Sequence, residues 1–288
     1  MAALKEIKAR IASVGGTLKI TSAMKMVASA KLHHVQAEAE ALALYERHLG
    51  AITEALFRYA GDEEIHTPLT RSHKHLQRAV VVAVASDGSL CGGFNAEAIR
   101  QMEHTVEALS NEGFRKIEVW PVGEKMAAHL RKSPLTCDDT FRTLAGHHCY
   151  TGAVRLADRL MAGYEAEEID RVVLVYNHYA SMSRQVPQSE TLLPLTSRRT
   201  EGERLPDTDY ICEPSPRELL AELLPLSVRT RVYEVLLDSA TAEHAARTVA
   251  MQTASDNAQD LLDELKLFYN KQRQQAITNE LADIGQAE

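Results

Sequence analysis

The residues that decide the fold are 226–253, LSVRTRVYEVLLDSATAEHAARTVAMQT. They open a longer stretch, 226–284, that contains no glycine and no proline. As one helix this stretch would be about 90 Å long, since a helix rises about 1.5 Å per residue. Apolar or small residues recur in steps of four and three at Val228, Val232, Val235, Ser239, Ala242, Ala246, Val249 and Thr253. This spacing predicts one seam of a coiled coil.

The first 60 residues supply a partner helix. Residues 1–60 carry eight basic and five acidic side chains, whereas residues 226–288 carry six basic and ten acidic ones. These opposite net charges favour pairing of the two ends, although screened surface charges contribute modestly. We therefore expect helices over 1–60 and 213–288 that pair antiparallel in a long coiled coil. The expected seam on the first helix is Leu4, Ile7, Ile11, Val14 and Leu18, then Val35, Ala39, Leu42, Tyr45, Leu49, Ile52, Leu56 and Tyr59.

Between these ends, residues 76–212 predict a central domain of class α/β. The run RAVVVAVAS at 78–86 is typical of a strand buried on both faces. Pro187 places the last expected strand at an edge of the sheet. The strand–helix alternation predicts a Rossmann-like domain with a mainly parallel sheet. The expected strands cover 78–86, 116–122, 171–179 and 185–195, and the expected helices cover 96–109, 124–131 and 152–164.

Composition disfavours several classes of protein. The chain has 32 Lys+Arg against 40 Asp+Glu, whereas a general nucleic-acid binder is normally basic. The longest apolar run, 79–85, is far shorter than the ~20 residues of a membrane-spanning helix, and no signal-peptide core is visible at the N-terminus. The four cysteines form no C-x-x-C pair, which disfavours a zinc site or a disulfide framework. We expect no cofactor, no bound metal and no nucleic-acid partner.

The loop DGSLCGGFN at 87–95 follows the first expected strand. Glycine loops in this position often hold a phosphate, so an α/β enzyme is one interpretation. The glycines match neither G-x-G-x-x-G nor the P-loop pattern, and no lysine follows them to reach a phosphate. A tight turn from strand to helix is the alternative that the pattern favours.

Two segments of the terminal helices indicate contact surfaces. Residues 19–31 combine small side chains with Met24, Met26 and three lysines. This slim cationic surface suits an acidic partner, although a solvated helix face would have the same composition. Near the other end, Gln272 and Gln275 stand where the seam should be apolar. A coiled coil loses stability at such positions unless another protein satisfies the amides.

Six longer motifs carry a family resemblance. They are KITSAMKMVASAK at 19–31, SDGSLCGGFN at 86–95, EPSPRELL at 213–220, EHAARTVAM at 243–251, DNA at 256–258 and YNKQRQQAITNEL at 269–281. In this order they resemble the γ subunit of the F-type rotary ATP synthase, over nearly the whole chain. The resemblance implies an antiparallel coiled coil of the terminal helices with an α/β domain at its foot.

The resemblance also implies a function. A γ subunit is a non-catalytic rotor that transmits torque between a membrane ring of c subunits and ATP-forming sites on other subunits. The implied partners are three α and three β subunits, the ε subunit and the c ring. The implied location is peripheral, at the cytoplasmic face of a bacterial plasma membrane.

The family's contact residues carry over to individual positions. Met24, with Lys25 beside it, matches the position that faces a β-subunit loop, and Arg247 matches the arginine opposite. The resemblance places polar contacts that help couple rotation to catalysis at Gln274, Thr278 and Glu280. It places contacts with the c ring and ε at Tyr210 and Glu213.

Two other interpretations stay open on the residues alone. The terminal helices would also suit a static coiled-coil scaffold or tether. Loop 87–95 leaves room for an α/β enzyme. The subunits that co-purify with the chain would separate a rotor from a scaffold, and titration of the isolated chain with ATP would test the enzyme.

Overall fold

The computed structural model describes residues 2–60, 67–73, 76–147, 149–195 and 212–285. The chain divides into two compact units. Unit 1 contains Met1–Ala30 and Arg247–Glu288, and unit 2 contains Lys31–Ala246. The division into three domains at 1–60, 76–212 and 213–288 stays a prediction.

The described residues form five α-helices, five strands and one 3-10 helix. The helices are α1 (Ala2–Ala60), α2 (Phe94–Asn111), α3 (Glu124–Leu130), α4 (Tyr150–Glu165) and α5 (Pro216–Gly285), with the 3-10 helix at Asp139–His147. The strands are β1 (Arg78–Val84), β2 (Lys116–Val122), β3 (Thr136–Cys137), β4 (Arg171–Ser181) and β5 (Arg184–Leu193).

The long C-terminal helix begins at Pro216, three residues after the expected start at 213 and before the uninterrupted stretch that opens at 226. Ser215 precedes the first residue of α5, and its side-chain oxygen accepts a hydrogen bond from the backbone N–H of Glu218 at 3.3 Å. This is the N-cap arrangement, and Pro216 then occupies the first helical position, where its missing N–H costs nothing. Pro225 lies inside α5. A proline interior to a helix removes one hydrogen bond, and here the helix continues through it.

The five strands form one sheet in the order β3-β2-β1-β4-β5. β1 pairs in parallel with both β2 and β4, and β2 pairs in parallel with β3. β5 pairs antiparallel with β4 at one edge, where Pro187 is tolerated because an edge strand has one unpaired side. The predicted fold class, α/β with a mainly parallel sheet and long terminal helices, is confirmed.

Both faces of the sheet are buried. Val80 and Val82 of β1 belong to one apolar cluster together with Leu156 of α4 and Leu224 of α5. The alternate residues of the strand belong to a second cluster together with Met102 of α2. Helices therefore cover the sheet on both sides, which explains why β1 has a continuous apolar sequence without alternation.

The single tryptophan lies on the first of these faces. Trp120 is 3% exposed, and its indole N–H donates to Glu118 Oε1 at 3.2 Å. Its ring stacks with that of Phe141 at 6.1 Å between centroids. The guanidinium carbon of Arg159 lies 4.6 Å from the indole centroid, a cation–π geometry. Polar, aromatic and cationic contacts within unit 2 thus fix this ring.

The sequence pattern does not predict two short elements, β3 and the 3-10 helix. β3 has two residues, both exposed, so it offers no alternation of apolar and polar side chains to detect. The other predicted strands and helices of this region are confirmed, with ends that differ by a few residues.

Within unit 2, α1 and α5 run antiparallel. One cleft between them is lined by Ala39 of α1 and Asp238 of α5. A second cleft is lined by Phe57 of α1 and Leu224 of α5. The residue numbers rise along α1 while they fall along α5, and this confirms the predicted antiparallel pairing for unit 2.

The seam of α1 in unit 2 differs from the expectation at two positions. Tyr45 and Ile52 are 49% and 41% exposed, whereas Glu46 is half-buried and Thr53 is buried. The expectation is wrong there because the turn of the helix, and not the polarity of the residue, decides which side faces the partner. The side chain of Tyr59 lies outside the described residues. The buried or half-buried positions that follow the steps of three and four are Leu32, Val35, Ala39, Leu42, Glu46, Leu49, Thr53 and Leu56.

Candidate protein interface

In unit 1, α1 packs against the C-terminal part of α5 through a layer of hydroxyl groups. Thr21 and Ser255 are 9% and 7% exposed. The Ser255 hydroxyl donates to Thr21 Oγ1 at 2.8 Å, and the Thr21 hydroxyl donates to the backbone oxygen of Leu18 at 3.2 Å. Ser22 Oγ lies 3.5 Å from Ser255 Oγ. Each buried hydroxyl in this layer therefore has a hydrogen-bond partner, which avoids the cost of burying it unpaired.

Buried and half-buried residues on both helices of unit 1 follow steps of three and four. On α1 they are Leu4, Ile7, Ile11, Val14, Leu18, Thr21, Lys25 and Ala28. On α5 they are Thr248, Met251, Ser255, Ala258, Leu262, Leu265, Tyr269, Gln272 and Ala276. These are the seams of a coiled-coil pair.

The expected seam on α5 is wrong at its C-terminal end. Val249 is 38% exposed and Thr253 is exposed, whereas their neighbours Thr248 and Met251 are buried. The predicted stripe is buried farther up the helix, where Ala242 packs with Cys91 and Phe94 in unit 2. The apolar spacing therefore predicted a buried face, and at Ala242 the residues packed against this face come from loop 87–95.

The residues expected to meet a β subunit lie in unit 1. Met24 and Lys25 on α1 are half-buried, as is Arg247 on α5. Lys25 lines a cleft of about 360 Å³ together with Gln252 and Asp256 of α5. Met24 and Arg247 are not among the residues that line this cleft. Lys25, and not Met24, therefore lies over the seam.

Two exposed apolar residues of segment 19–31 were not predicted from the sequence. Ile20 and Val27 are 62% and 59% exposed, and Met26 is 66% exposed. Ile20 and Val27 are seven residues apart and therefore share one face of the helix. Large exposed apolar side chains among lysines mark an interaction surface. Their spacing, in phase with each other but out of phase with the seam, was the signal that could have identified them.

The polar residues near the end of α5 do not replace the seam, except at one position. Gln272 is half-buried and in step with the seam, but Gln274, Gln275 and Thr278 are exposed. The Thr278 hydroxyl donates to the backbone oxygen of Gln274 at 2.9 Å. The expectation for Gln272 therefore holds, whereas the expectation that Gln275 interrupts the seam is wrong, because its side chain projects from the outer side of the helix. The side chain of Glu280 lies outside the described residues.

Exposed apolar residues accompany these polar ones. Leu267 is 72% exposed, and Phe268 and Ile277 are each 49% exposed. Leu267, Gln274 and Thr278 are spaced by seven and four residues and therefore share the face opposite the seam. The outer face of α5 in unit 1 thus carries a mixture of apolar and hydrogen-bonding side chains suited to contact with another protein.

Of the two residues expected to meet the c ring and ε, Glu213 alone lies within the described residues. Tyr210 lies outside the described residues. Glu213 is exposed and lies just before α5.

The polar groups of loop 87–95 are engaged within the fold. Asp87 Oδ1 accepts a hydrogen bond from the backbone N–H of Glu124, at the start of α3, at 3.0 Å. Asn95 Oδ1 accepts from the backbone N–H of Ser86 at 3.0 Å. A Cβ on Gly123 would lie 2.2 Å from the backbone oxygen of Ala85, so the approach of α3 to β1 requires glycine. These contacts support the interpretation of the loop as a tight structural turn.

In the ranges that the structure describes, no group of three or more His, Cys, Asp and Glu side chains could hold a metal ion. No described helix combines the length and the apolar character that crossing a membrane requires. Cys91 is buried, Cys137 and Cys149 are exposed, and all four cysteines are free.

Comparison with known proteins connects these features to a family. The sequence model of a family described as ATP synthase matches residues 3–287. The ATP synthase gamma chain of Phocaeicola vulgatus is 46% identical over 99% of this chain and 98% of its own length. A central-stalk and c-ring structure of the Tetrahymena thermophila mitochondrial ATP synthase is similar with a TM-score of 0.55 and 23% identity, over 82% of this chain and 99% of that one. A Euglena gracilis mitochondrial ATP synthase structure, containing OSCP, F1 and the c-ring, gives a TM-score of 0.61 with 15% identity, over 98% and 92% of the two chains.

Proposed function

The chain belongs to the ATP synthase gamma chain family, and on this premise we propose that it is the central-stalk rotor of an F-type ATP synthase. It transmits torque between a membrane ring of c subunits and a catalytic hexamer of α and β subunits. In this way it couples ion flow to ATP synthesis. The observation that carries the proposal is the extent of the family match, which includes both terminal helices and the whole sheet.

The proposed partners are three α and three β subunits, the ε subunit and the c ring. The two similar structures include the c-ring, and one of them includes F1, which supports these partners. The chain is then peripheral at the cytoplasmic face of a bacterial plasma membrane and is held there through the complex.

In this proposal the chain itself is not catalytic, and ATP is formed on the β subunits. The geometry of loop 87–95 supports this assignment. Its Asp87 carboxylate caps α3, and its Ser86 and Asn95 bond to each other. These groups therefore stabilise the turn.

We assign the rotor–stator contacts to Met24, Lys25, Arg247, Gln274, Thr278 and Glu280, and the contacts with the c ring and ε to Tyr210 and Glu213. The half-buried state of Met24 and Lys25 supports the first group, since part of each side chain stays available to a partner. The exposed outer face at Gln274 and Thr278 supports it as well.

Purification of the complex through a tag on this chain tests the proposal. A rotor should be recovered in one copy with three α and three β subunits, and the isolated chain should not hydrolyse ATP. A static scaffold would be recovered without this stoichiometry. Appreciable ATP turnover by a homogeneous preparation that lacks α and β would contradict the assignment of catalysis to β.

A substitution at Met24 tests its assigned contact. Met24→Lys adds a flexible cation where an acidic β loop is proposed, and a charge-assisted hydrogen bond contributes about 1.5–3 kcal/mol. A rotor needs similar contacts at every angle, so this bond should hold one angle and lower the number of ions pumped per ATP in inverted vesicles. Met24→Gln, which is polar but uncharged, is the matched control and should pump normally. Normal pumping by Met24→Lys would refute the placement.

A further inference from the structure

In unit 2, a single arginine joins α5 to two strands of the sheet. Arg231 Nε donates to Glu190 Oε1 at 2.7 Å, and its Nη2 donates to Glu190 Oε2 at 2.5 Å. Nη2 also lies 3.1 Å from Tyr176 Oη. Nη1 donates to Glu234 on the next turn of α5. The guanidinium thus makes a two-pronged bond to β5, one bond to β4 and one to its own helix.

This cluster is largely removed from water. The side chains of Arg231, Glu190 and Glu234 are 18%, 22% and 26% exposed. Burial raises the pKa of Tyr176 to about 12, so its hydroxyl stays protonated and accepts from Arg231. Burying such an ion cluster contributes little stability compared with apolar side chains of similar size. The cluster therefore calls for an explanation other than the strength of the fold.

The geometry of the Arg231 cluster supplies such an explanation. Apolar contacts, such as those of Val228 and Val232 on the same helix, oppose separation of two surfaces but have no preferred direction. A two-pronged guanidinium–carboxylate bond is planar and directional. It therefore opposes sliding and rotation of the helix against the strand as well as separation.

A second polar contact lies two turns farther along the helix. Asp238 Oδ1 accepts from the backbone N–H of Tyr179 at 2.8 Å, and its Oδ2 lies 2.7 Å from His178 Nδ1. Both contacts join α5 to β4. With Arg231 they fix the helix at two points along its axis, which sets both its angle and its axial position on the sheet.

We propose that Arg231 is a positioning residue that locks α5 to β4 and β5, so that torque on the sheet turns the helix without slip. This inference rests on the proposed rotor function. The lock matters only under load. Unloaded ATP hydrolysis needs little torque, whereas pumping ions against a gradient loads the contacts between the sheet and α5, including this one.

Three variants at Arg231 and one control variant, each in the assembled complex, test the lock. Arg231→Met should lower the melting temperature by roughly 10 °C, because it removes the guanidinium that binds both carboxylate oxygens of the largely buried Glu190. The double variant Arg231→Met with Glu190→Gln also removes the carboxylate charge and should recover most of the melting temperature. Both variants should lose ion pumping per ATP in inverted vesicles and keep unloaded ATP hydrolysis in detergent. A residue that acts only on stability would regain pumping in the double variant.

Arg229→Met is the matched control. Arg229 lies on the same helix, and its Nε donates to Asp158 Oδ1 at 2.7 Å, but both side chains are more exposed, at 35% and 45%. This variant should pump like the wild type. Arg231→Lys keeps the charge and loses the two-pronged bond, so it should fold even if Arg231→Met does not, and it should lose part of the pumping.

Normal pumping by Arg231→Lys, or by the double variant, would overturn the inference and leave the rotor function standing. A wild-type complex that hydrolyses ATP but pumps no ions would instead refute the proposed function.

Discussion

One helix, α5, has two different environments, and the contrast separates what apolar spacing can predict from what it cannot. In unit 2 its residues are buried on several sides, with Val228 and Leu237 both 0% exposed. In unit 1 a single stripe is buried, and Leu261 and Leu267 are 46% and 72% exposed. Both parts are rich in apolar residues. Leucine therefore marks a core in the first part, whereas the leucines of the second part divide between the seam and an outer surface available to a partner.

The same substitution at three positions of α5 measures this contrast. Leu237→Ala should lower the free energy of unfolding by about 2–5 kcal/mol, because it opens a cavity in the core. Leu262→Ala, at a half-buried seam position, should cost less, and Leu267→Ala should stay within about 0.5 kcal/mol of the wild type. Urea unfolding of the full chain, followed by circular dichroism, gives the three values. Equal losses at all three positions would mean that the two parts of the helix are equally buried.

The hydroxyl layer of unit 1 predicts the next largest effect. Thr21→Val removes the acceptor of the Ser255 hydroxyl and should cost about 1–3 kcal/mol, the penalty for an unpaired buried group. Ser255→Ala should cost less, since Thr21 keeps its bond to the Leu18 carbonyl. The double variant should be near the wild type, because both partners are then removed. Additive losses in this double-mutant cycle would show that the two hydroxyls do not interact.

The stability of the chain at alkaline pH tests the polar cluster around Arg231 in unit 2. Burial raises the pKa of Tyr176 to about 12, whereas an unfolded chain deprotonates tyrosine near pH ~10. Tyr176 therefore deprotonates at a lower pH in the unfolded state than in the folded state. As a result, the free energy of unfolding falls as the pH rises from about 10 to about 12. At neutral pH, Tyr176→Phe should cost about 0.5–1.5 kcal/mol for one lost hydrogen bond. This deficit should shrink over the alkaline range, and a constant deficit would contradict the assignment. Tyr164, whose pKa burial also raises to about 12, should keep part of the alkaline loss in the variant.

The smallest expected effect on stability concerns the outer face of unit 1. Gln274→Leu with Thr278→Val should change the free energy of unfolding by less than about 0.5 kcal/mol, since both side chains are exposed. A seam position would instead be stabilised by these changes. If the face contacts β subunits, the same double variant should lower ATP turnover in the assembled complex. A clearly raised melting temperature with unaltered turnover would instead indicate that both residues occupy seam positions.

Much of the fold follows from the sequence. The absence of glycine and proline predicts the long C-terminal helix, and the run at β1 predicts a strand buried on both sides. The expected start at 213 is three residues from the observed Pro216, but it does not follow from that rule, because Pro225 normally ends a helix and here lies inside one. The Ser215 cap was the better signal, since it satisfies the first backbone N–H groups.

The phase of the seam was only partly predictable. Glu46 and Thr53 hold seam positions while Tyr45 and Ile52 face outward, because packing against a neighbour, and not the hydropathy of one residue, fixes the rotation of a helix. The candidate interface shows the same limit. Met24 and Gln274 came from a family resemblance, whereas Ile20 and Val27 were not predicted, although their shared phase, out of step with the seam, was present in the sequence.

Because the one tryptophan, Trp120, lies in unit 2, the fluorescence of its indole reports on that unit alone. The chain has one tryptophan, and its indole lies between Phe141 and Arg159 in unit 2. Its fluorescence therefore reports the loss of this packing, and unit 1 contributes no indole signal. Circular dichroism, by contrast, is dominated by the helical backbone of α1 and α5 and records both units together. Two unfolding curves taken from one sample by these two signals would separate if the units unfold independently, and would coincide if the chain unfolds as one cooperative body.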